Sequence, residues 1–243
     1  MALPTIATPT YTLKVPSTNK SITYRPFLVK EEKILLMAME SGEDKDMADA
    51  LRQIIGNCVS TAGFDATTLA VFDLEYIFLN LRAKSVGEIA EPRIRCPECD
   101  TEIILNVDLT KVKVKKDRKH KAEIPLSENI GVTMKYPDVV DLLKLETPID
   151  PEAGESEIDR TFTMIQHSIE NIWDENSVYP AKDHTEEEMT VFLESLTTEH
   201  FEKIQQFYET MPRLEHKMKY KCTNEECDHT DEMVLRGMQD FFY

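Results

Sequence analysis

Glycine is scarce in this chain: 7 of 243 residues. That scarcity excludes collagen-like and glycine-rich flexible architectures. No glycine-rich phosphate loop is present, which disfavours nucleotide use by the common routes. No run of about 18 apolar residues exists, so no membrane span is expected. The first residues, MALPTI, lack a basic start followed by an apolar stretch, so no targeting segment is expected. Positive charge is short as well. Against 45 Asp and Glu stand 28 Lys and Arg, a net charge of −17, which opposes non-specific contact with nucleic acid and anionic membranes. None of the six histidines (His120, His167, His184, His200, His216, His229) sits in a recognisable catalytic pattern.

What remains is a globular composition. Hydrophobic residues make up 41% of the chain, enough to build a sizeable core. A length of 243 residues favours one continuous core with an appended module. The charge is unevenly spread. Residues 111–121 (KVKVKKDRKHK) hold seven Lys/Arg and one Asp, a local +6, which leaves −23 for the rest. An acidic body with one basic arm suits an oriented protein contact or a solvated loop. The arm lacks interleaved aromatics for base stacking, so nucleic-acid binding is not expected of it.

Periodicity supplies the elements. Tyr11, Leu13 and Val15, then Ile22 and Tyr24, alternate with polar residues around a Pro-Ser-Thr-Asn turn, and predict a hairpin. Helices are predicted over 30–40, 46–60 and 67–86. The last of these is apolar nearly all round in its middle and should be the central buried helix, with Gly87 as its stop. Residues 93–107 read as strand, tight knuckle, strand. Val112 and Val114 alternate with lysines, an edge-strand pattern that discourages aggregation. A strand pair is predicted over 123–126 and 131–136, then a short helix from Pro137 to Leu145 and a mobile acidic loop over 147–157. Ile158, Phe162, Ile165, Ile169 and Ile172 form one helical stripe. Thr185 with Glu188 is a capping box before the next helix, and a last helix carries Phe201, Ile204, Phe207 and Met211 up to Pro212. The terminal aromatics 241–243 are expected to pack within the chain. The predicted class is α+β: a mainly helical core, an N-terminal β-hairpin and a zinc-ribbon-like module. The expected domains are 1–89; 90–121 with 213–243 as a split ribbon; and 122–212 with its acidic loop.

The ribbon rests on four cysteines. Cys96 and Cys99 are separated by two residues, Cys222 and Cys227 by four. Both spacings suit knuckles that present two thiolates to one ion, and two knuckles complete a tetrahedral set. In a reducing cytosol, paired cysteines read as metal ligands before disulfides. Ile94 and Ile103 flank the first pair; Tyr220 and Met233 flank the second. Each knuckle is therefore expected at a hairpin tip. Four thiolates leave no open position for water, so one structural Zn2+ per chain is expected rather than a catalytic one. Residues 100–221 lie between the pairs, so the metal closes a long excursion. Structural zinc contributes about 10–16 kcal/mol in isolated fingers; a folded core already restricts the ends here and lowers the net gain. The competing readings are reduced cysteines without metal, a disulfide, or His229 in place of one cysteine. Cys58 lies on a helical apolar stripe and reads as an inert core residue. Asp73 and Glu75 interrupt the apolar helix and are followed by Arg82 and Lys84, which suits either a buried ion pair or a solvated face.

Several long strings carry a further signal: residues 24–37 (YRPFLVKEEKILLM), residues 72–88 (FDLEYIFLNLRAKSVGE), the Cys96/Cys99 knuckle, residues 210–214 (TMPRL), and the second cysteine pair leading to residues 237–242 (GMQDFF). In these the chain resembles the baseplate protein family of T-even (T4-like) bacteriophages, described as hub assembly proteins or chaperones. The four-residue spacing of the second knuckle departs from the two common in that family. The resemblance implies a non-enzymatic role in tail assembly, in the host cytoplasm or in the virion. It implies hub, tail tube or tape-measure proteins as partners, with no small-molecule substrate. The alternative is a zinc-ribbon regulator or nucleic-acid adaptor, and a hydrolytic enzyme stands third.

Overall fold

The computed structural model describes residues 6–139, 141 and 156–241. The chain folds as two compact units. Unit 1 comprises residues 1–115 and 213–243, and unit 2 residues 116–212.

Unit 1 opens on a hairpin, β1 (Tyr11–Lys14) and β2 (Ser21–Tyr24), paired Tyr11 to Tyr24. Three helices follow: α1 (Val29–Ser41), α2 (Asp44–Cys58) and α3 (Val71–Ser85). The start of α1 is fixed by a buried carboxylate. Glu31 is 0% exposed, accepts the Leu28 N–H at 2.9 Å and pairs with Arg25 at 3.0 Å. Burial opposes its ionisation, and the bonds from Arg25 and Leu28 overcome that and hold it below the usual carboxylate range. The helix ends at Gly42, whose φ of 70° suits a residue without a side chain. α3 is the central buried helix, as its composition predicts. Phe72, Leu74, Ile77, Phe78, Leu79 and Leu81 are all buried.

Beyond α3 the chain becomes short antiparallel strands. β3 (Ile89–Ala90) pairs with β6 (Val107–Asp108), and between them β4 (Arg93–Arg95) pairs with β5 (Glu102–Ile104). β7 (Lys113–Lys115) is an edge of a three-stranded sheet, as its lysines predict. Its partner in that sheet is β12 (Arg213–Lys221), which pairs in turn with β13 (Thr230–Arg236). The register sets Arg213 opposite Lys115. The chain thus leaves unit 1 on one strand and re-enters it on the neighbouring one.

Among the described residues, unit 2 holds a four-stranded antiparallel sheet and three α-helices. The strands, in spatial order, are β11 (Val178–Pro180), β10 (Ile169–Asp174), β9 (Ile130–Met134) and β8 (Glu123–Pro125). The helices are α4 (Glu157–Ser168), α5 (Glu186–Glu194) and α6 (Thr198–Thr210). Thr185 caps α5 as expected: its side chain accepts the Glu188 N–H and the Glu188 side chain accepts the Thr185 N–H. Ile124, Val132, Ile165, Ile169, Leu193, Ile204 and Phe207 form the core. Phe207 stacks on Tyr136 at 5.7 Å and meets the Tyr208 ring edge-on at 5.4 Å.

The class is α+β, but the core is not mainly helical. Thirteen strands stand beside six α-helices among the described residues. One of the departures from the sequence pattern lies in unit 2. The stripe from Ile158 to Ile172 reads as one helix, yet the helix stops at Ser168 and residues 169–174 (IENIWD) form β10. That strand hydrogen-bonds to β9 on one side and β11 on the other. β-branched and aromatic residues at Ile169, Ile172 and Trp173 fit that half-buried surface better than another helical turn. Most of the helix expected after Pro137 falls outside the described residues, as do residues 242 and 243. Of the acidic loop 147–157 only Ser156 and Glu157 are described, as the cap and first residue of α4.

Candidate metal centre

Each cysteine pair sits at the tip of a hairpin in unit 1. Cys96 and Cys99 lie in the turn between β4 and β5. The Cys96 N–H donates to the Thr101 carbonyl and the Asp100 N–H to the Cys96 carbonyl, both at 2.9 Å. Closing so tight a turn puts Asp100 at a φ of 56°, a conformation Asp tolerates better than most side chains. Cys222 and Cys227 lie in the turn between β12 and β13. There the Cys222 N–H donates to the His229 carbonyl at 2.9 Å and the Cys227 N–H to the Asn224 carbonyl at 3.0 Å. The longer spacing of the second knuckle is absorbed by this inner turn.

The two tips meet. All four Sγ atoms lie within 4.8 Å of one another. Cys96 Sγ is 3.9 Å from Cys227 Sγ, and Cys99 Sγ is 3.5 Å from Cys222 Sγ. Zinc–thiolate bonds of about 2.3 Å in a tetrahedron require sulfur–sulfur edges of about 3.8 Å. The two distances straddle that value, so the donors fit a four-sulfur centre. The Thr223 hydroxyl donates to the Glu102 carbonyl at 3.4 Å and ties the second turn to the first hairpin. Beneath the tips, Ile103, Leu105, Val107, Leu214, Leu235 and Phe241 pack with Leu79 and Ala83 of α3 in one apolar cluster. Cys96 and Cys222 are buried at its edge, and Cys99 and Cys227 are half-buried.

The electrostatics are those of a site that holds one negative charge readily and resists more. Hydrogen bonding to Thr101 brings the Cys99 thiol down to about 6. The Asn224 N–H favours a thiolate at Cys222, but burial and hydrogen bonds to the neighbouring sulfurs push that thiol up to about 12. Cys227 is raised in the same way, by burial and by its bond to Cys99, against the His229 N–H. Four thiolates this close need a cation between them.

The other candidates disperse. Among the described residues no second group of His, Cys, Asp and Glu has the geometry to hold a metal ion. His229 is outside the sulfur group and meets the Tyr220 ring at 6.2 Å. Cys58 is buried in the helical core and its thiol is pushed up to about 11 by burial, as befits an inert residue. Asp73 is buried and accepts the Ser17 N–H at 3.0 Å. Glu75 accepts the Met238 N–H at 3.1 Å, and burial raises its carboxyl to about 7. Neither belongs to a solvated face. Lys84 instead pairs with Glu88, and Arg82 donates to the Gly87 carbonyl. In the basic arm, Lys111 pairs with Asp108 and Lys115 with Glu215. Two residues beside the knuckles also reach the sulfurs: the Thr101 hydroxyl accepts from Cys99 Sγ, for which a small polar residue two positions after a knuckle cysteine is the sequence signal, and the Asn224 backbone N–H donates to Cys222 Sγ, for which no side-chain signal exists.

Fold and site define a small α+β protein with a four-cysteine cluster able to hold a metal ion, and no helix among the described residues is long and apolar enough to cross a membrane. Comparison with family models matches residues 8–243 to the T4 bacteriophage base plate protein, and the chain belongs to that family. No curated protein and no solved structure matches it. The family gives the chain a structural role in a phage baseplate.

Proposed function

We propose that this chain is a non-enzymatic component or assembly chaperone of the baseplate hub. It binds hub, tail tube or tape-measure proteins, and it carries one structural zinc on Cys96, Cys99, Cys222 and Cys227. The observation that supports the metal is the convergence of two hairpin tips, 123 residues apart between Cys99 and Cys222, on sulfur–sulfur distances suited to a tetrahedron. The family match supports the setting. A bound Zn2+ neutralises the thiolates and locks the two hairpins together; with all four positions filled by sulfur it supplies no site for a reacting water. Segments 90–121 and 213–243 then work as one ribbon module. The chain acts in the host cytoplasm during assembly or in the baseplate of the virion.

Two measurements test the reading. Metal analysis of the purified protein is expected to give one zinc per chain; no metal, or iron instead, overturns the zinc assignment. Pull-down from infected cells is expected to recover hub, tube or tape-measure components, and recovery of no tail component overturns the assembly role.

A further inference from the structure

Helix α1 is turned inside out. Its buried residues are Glu31 and Ala38, while Leu36, Met37 and Met39 are 53%, 60% and 45% exposed. A surface helix of a globular protein normally does the reverse. Within unit 1, the C-terminal half of α1 forms one wall of a groove of about 390 Å3. Phe27, Leu35, Leu36, Met39, Met47 and Phe78 supply its apolar surface. That volume is in the range of a specific binding pocket, and a lining rich in methionine adapts to irregular partners.

The charge lining it is mainly negative. Glu32 and Glu43 line the groove, and Glu40 and Asp46 are exposed near its end of the two helices, which also carry exposed Lys30, Lys33 and Lys45; Asp49 is paired with Arg52. α1 ends there with no basic residue in its last turn, so the negative end of its dipole is uncompensated by charge. The one cation among the described lining residues, Arg82, donates to the backbone carbonyls of Gly87 and Ile89. The walls are mainly helices, whose interior backbone groups are already paired. An extended segment would find few main-chain partners in the groove, whereas a helix brings its own hydrogen bonds.

We propose that this groove docks an amphipathic helix of a partner protein, its apolar face flanked by Lys or Arg. The proposal rests on the assembly reading above and specifies the partner's chemistry. A second copy of this chain is the poorer occupant, because the chain carries a net charge of −17.

The probe is a labelled Leu/Lys amphipathic peptide of about 18 residues, five helical turns. A Leu/Glu peptide with the same apolar face is the control, and binding to the metal-loaded full chain is followed by fluorescence anisotropy. The basic peptide is expected to bind at least about tenfold more tightly than the acidic one. The double variant Leu36→Glu/Met39→Glu alters exposed positions, and its fold is checked by far-UV circular dichroism and metal content. It is expected to weaken the basic peptide about tenfold or more, the range of an interface hot spot. Charge attraction alone would do the opposite, since the variant adds two acids. Unchanged or tighter binding to the variant therefore overturns the proposal, as does equal binding of the two peptides. So does a wild-type dimer, seen by sedimentation, that the variant dissolves, because the occupant is then a second copy. Peptide failure with tail components still recovered by pull-down removes the groove and leaves the assembly role standing. Peptide binding at the groove with no tail component recovered supports the groove and removes the assembly role.

Discussion

The two units reach the same end by different means. Unit 2 holds its sheet and helices with one apolar core, Ile124 to Phe207, and a cluster of stacked rings around Phe207. In unit 1 the short strands beyond α3 pack with that helix in an apolar cluster of their own, from Leu79 to Phe241. β3, β4, β5, β6 and β7 are two or three residues long, too short to bury much surface each. The four cysteines stand at the edge of that cluster, two of them buried in it and two packed against it. Strands this short add few ladder bonds each, and a metal held on the four sulfurs would act as a staple between the two hairpins.

Removing the staple should separate the units most. Cys222→Ser, or exhaustive chelation, is expected to cost unit 1 on the order of 4–5 kcal/mol, the scale of a lost metal site. Trp173 is the sole tryptophan and lies in unit 2. Its fluorescence transition on heating should stay in place while the far-UV signal of unit 1 moves down. If both shift together, the units are one cooperative body and the contrast fails.

A smaller effect distinguishes unit 1 by pH. The Glu75 carboxyl sits at about 7 in the folded chain against an ordinary 4.5. A raised acid favours folding fully below pH 4.5 and loses that contribution as pH rises through 7. The loss is at most about 3 kcal/mol at about 1.4 kcal/mol per pH unit. Denaturant midpoints are therefore expected to fall between pH 5 and pH 7 in the wild type and to level off above that, and to fall less in Glu75→Gln, which still accepts the Met238 N–H. Parallel pH profiles would show the carboxyl to be indifferent to folding.

Unit 2 has its own weak points. A Cβ on Gly131 would come within 2.1 Å of the Trp173 ring, which lies across the neighbouring strand. Gly131→Ala is expected to displace that ring and cost roughly 1–3 kcal/mol, as overpacking does. The change should appear as a shifted Trp173 emission and a lower unit 2 midpoint, with zinc content untouched. Smallest is the cap: Thr185→Ala should lower the same midpoint by about 1 kcal/mol. A fall in bound zinc in either variant would show that the metal centre depends on unit 2.

What could be read from the residues follows the same division. Long periodic segments announced themselves: α3, α6, the cap of α5 and the β8–β9 pair all fall where alternation and capping put them. The knuckles were legible because cysteine spacing is a local signal with few meanings. Strands of two or three residues, such as β3 and β6, carry no period, so the sheet content was underread. The helix-to-strand switch at Ile169 was hidden because Ile169 and Ile172 satisfy both patterns, and only the pairing with β9 and β11 decides. The groove was invisible for another reason. Ile34, Leu35, Met37 and Ala38 make a plausible buried stripe, and nothing local says that α1 is rotated to bury Glu31 against Arg25 instead. The sulfur–sulfur distances, likewise, arise only when distant hairpins meet.

The pairing of Arg213 with Lys115 has a consequence for how such a chain can change. Paired Cα atoms on neighbouring antiparallel strands lie about 5 Å apart, a gap that a two-residue turn bridges. Everything from residue 116 to residue 212 therefore hangs from a stem that an ordinary hairpin could close. For unit 1 those 97 residues are one long loop, free to be exchanged, lengthened or lost while the ribbon and its helices keep their register. Unit 2 is, in topology, an insertion between two paired strands of unit 1.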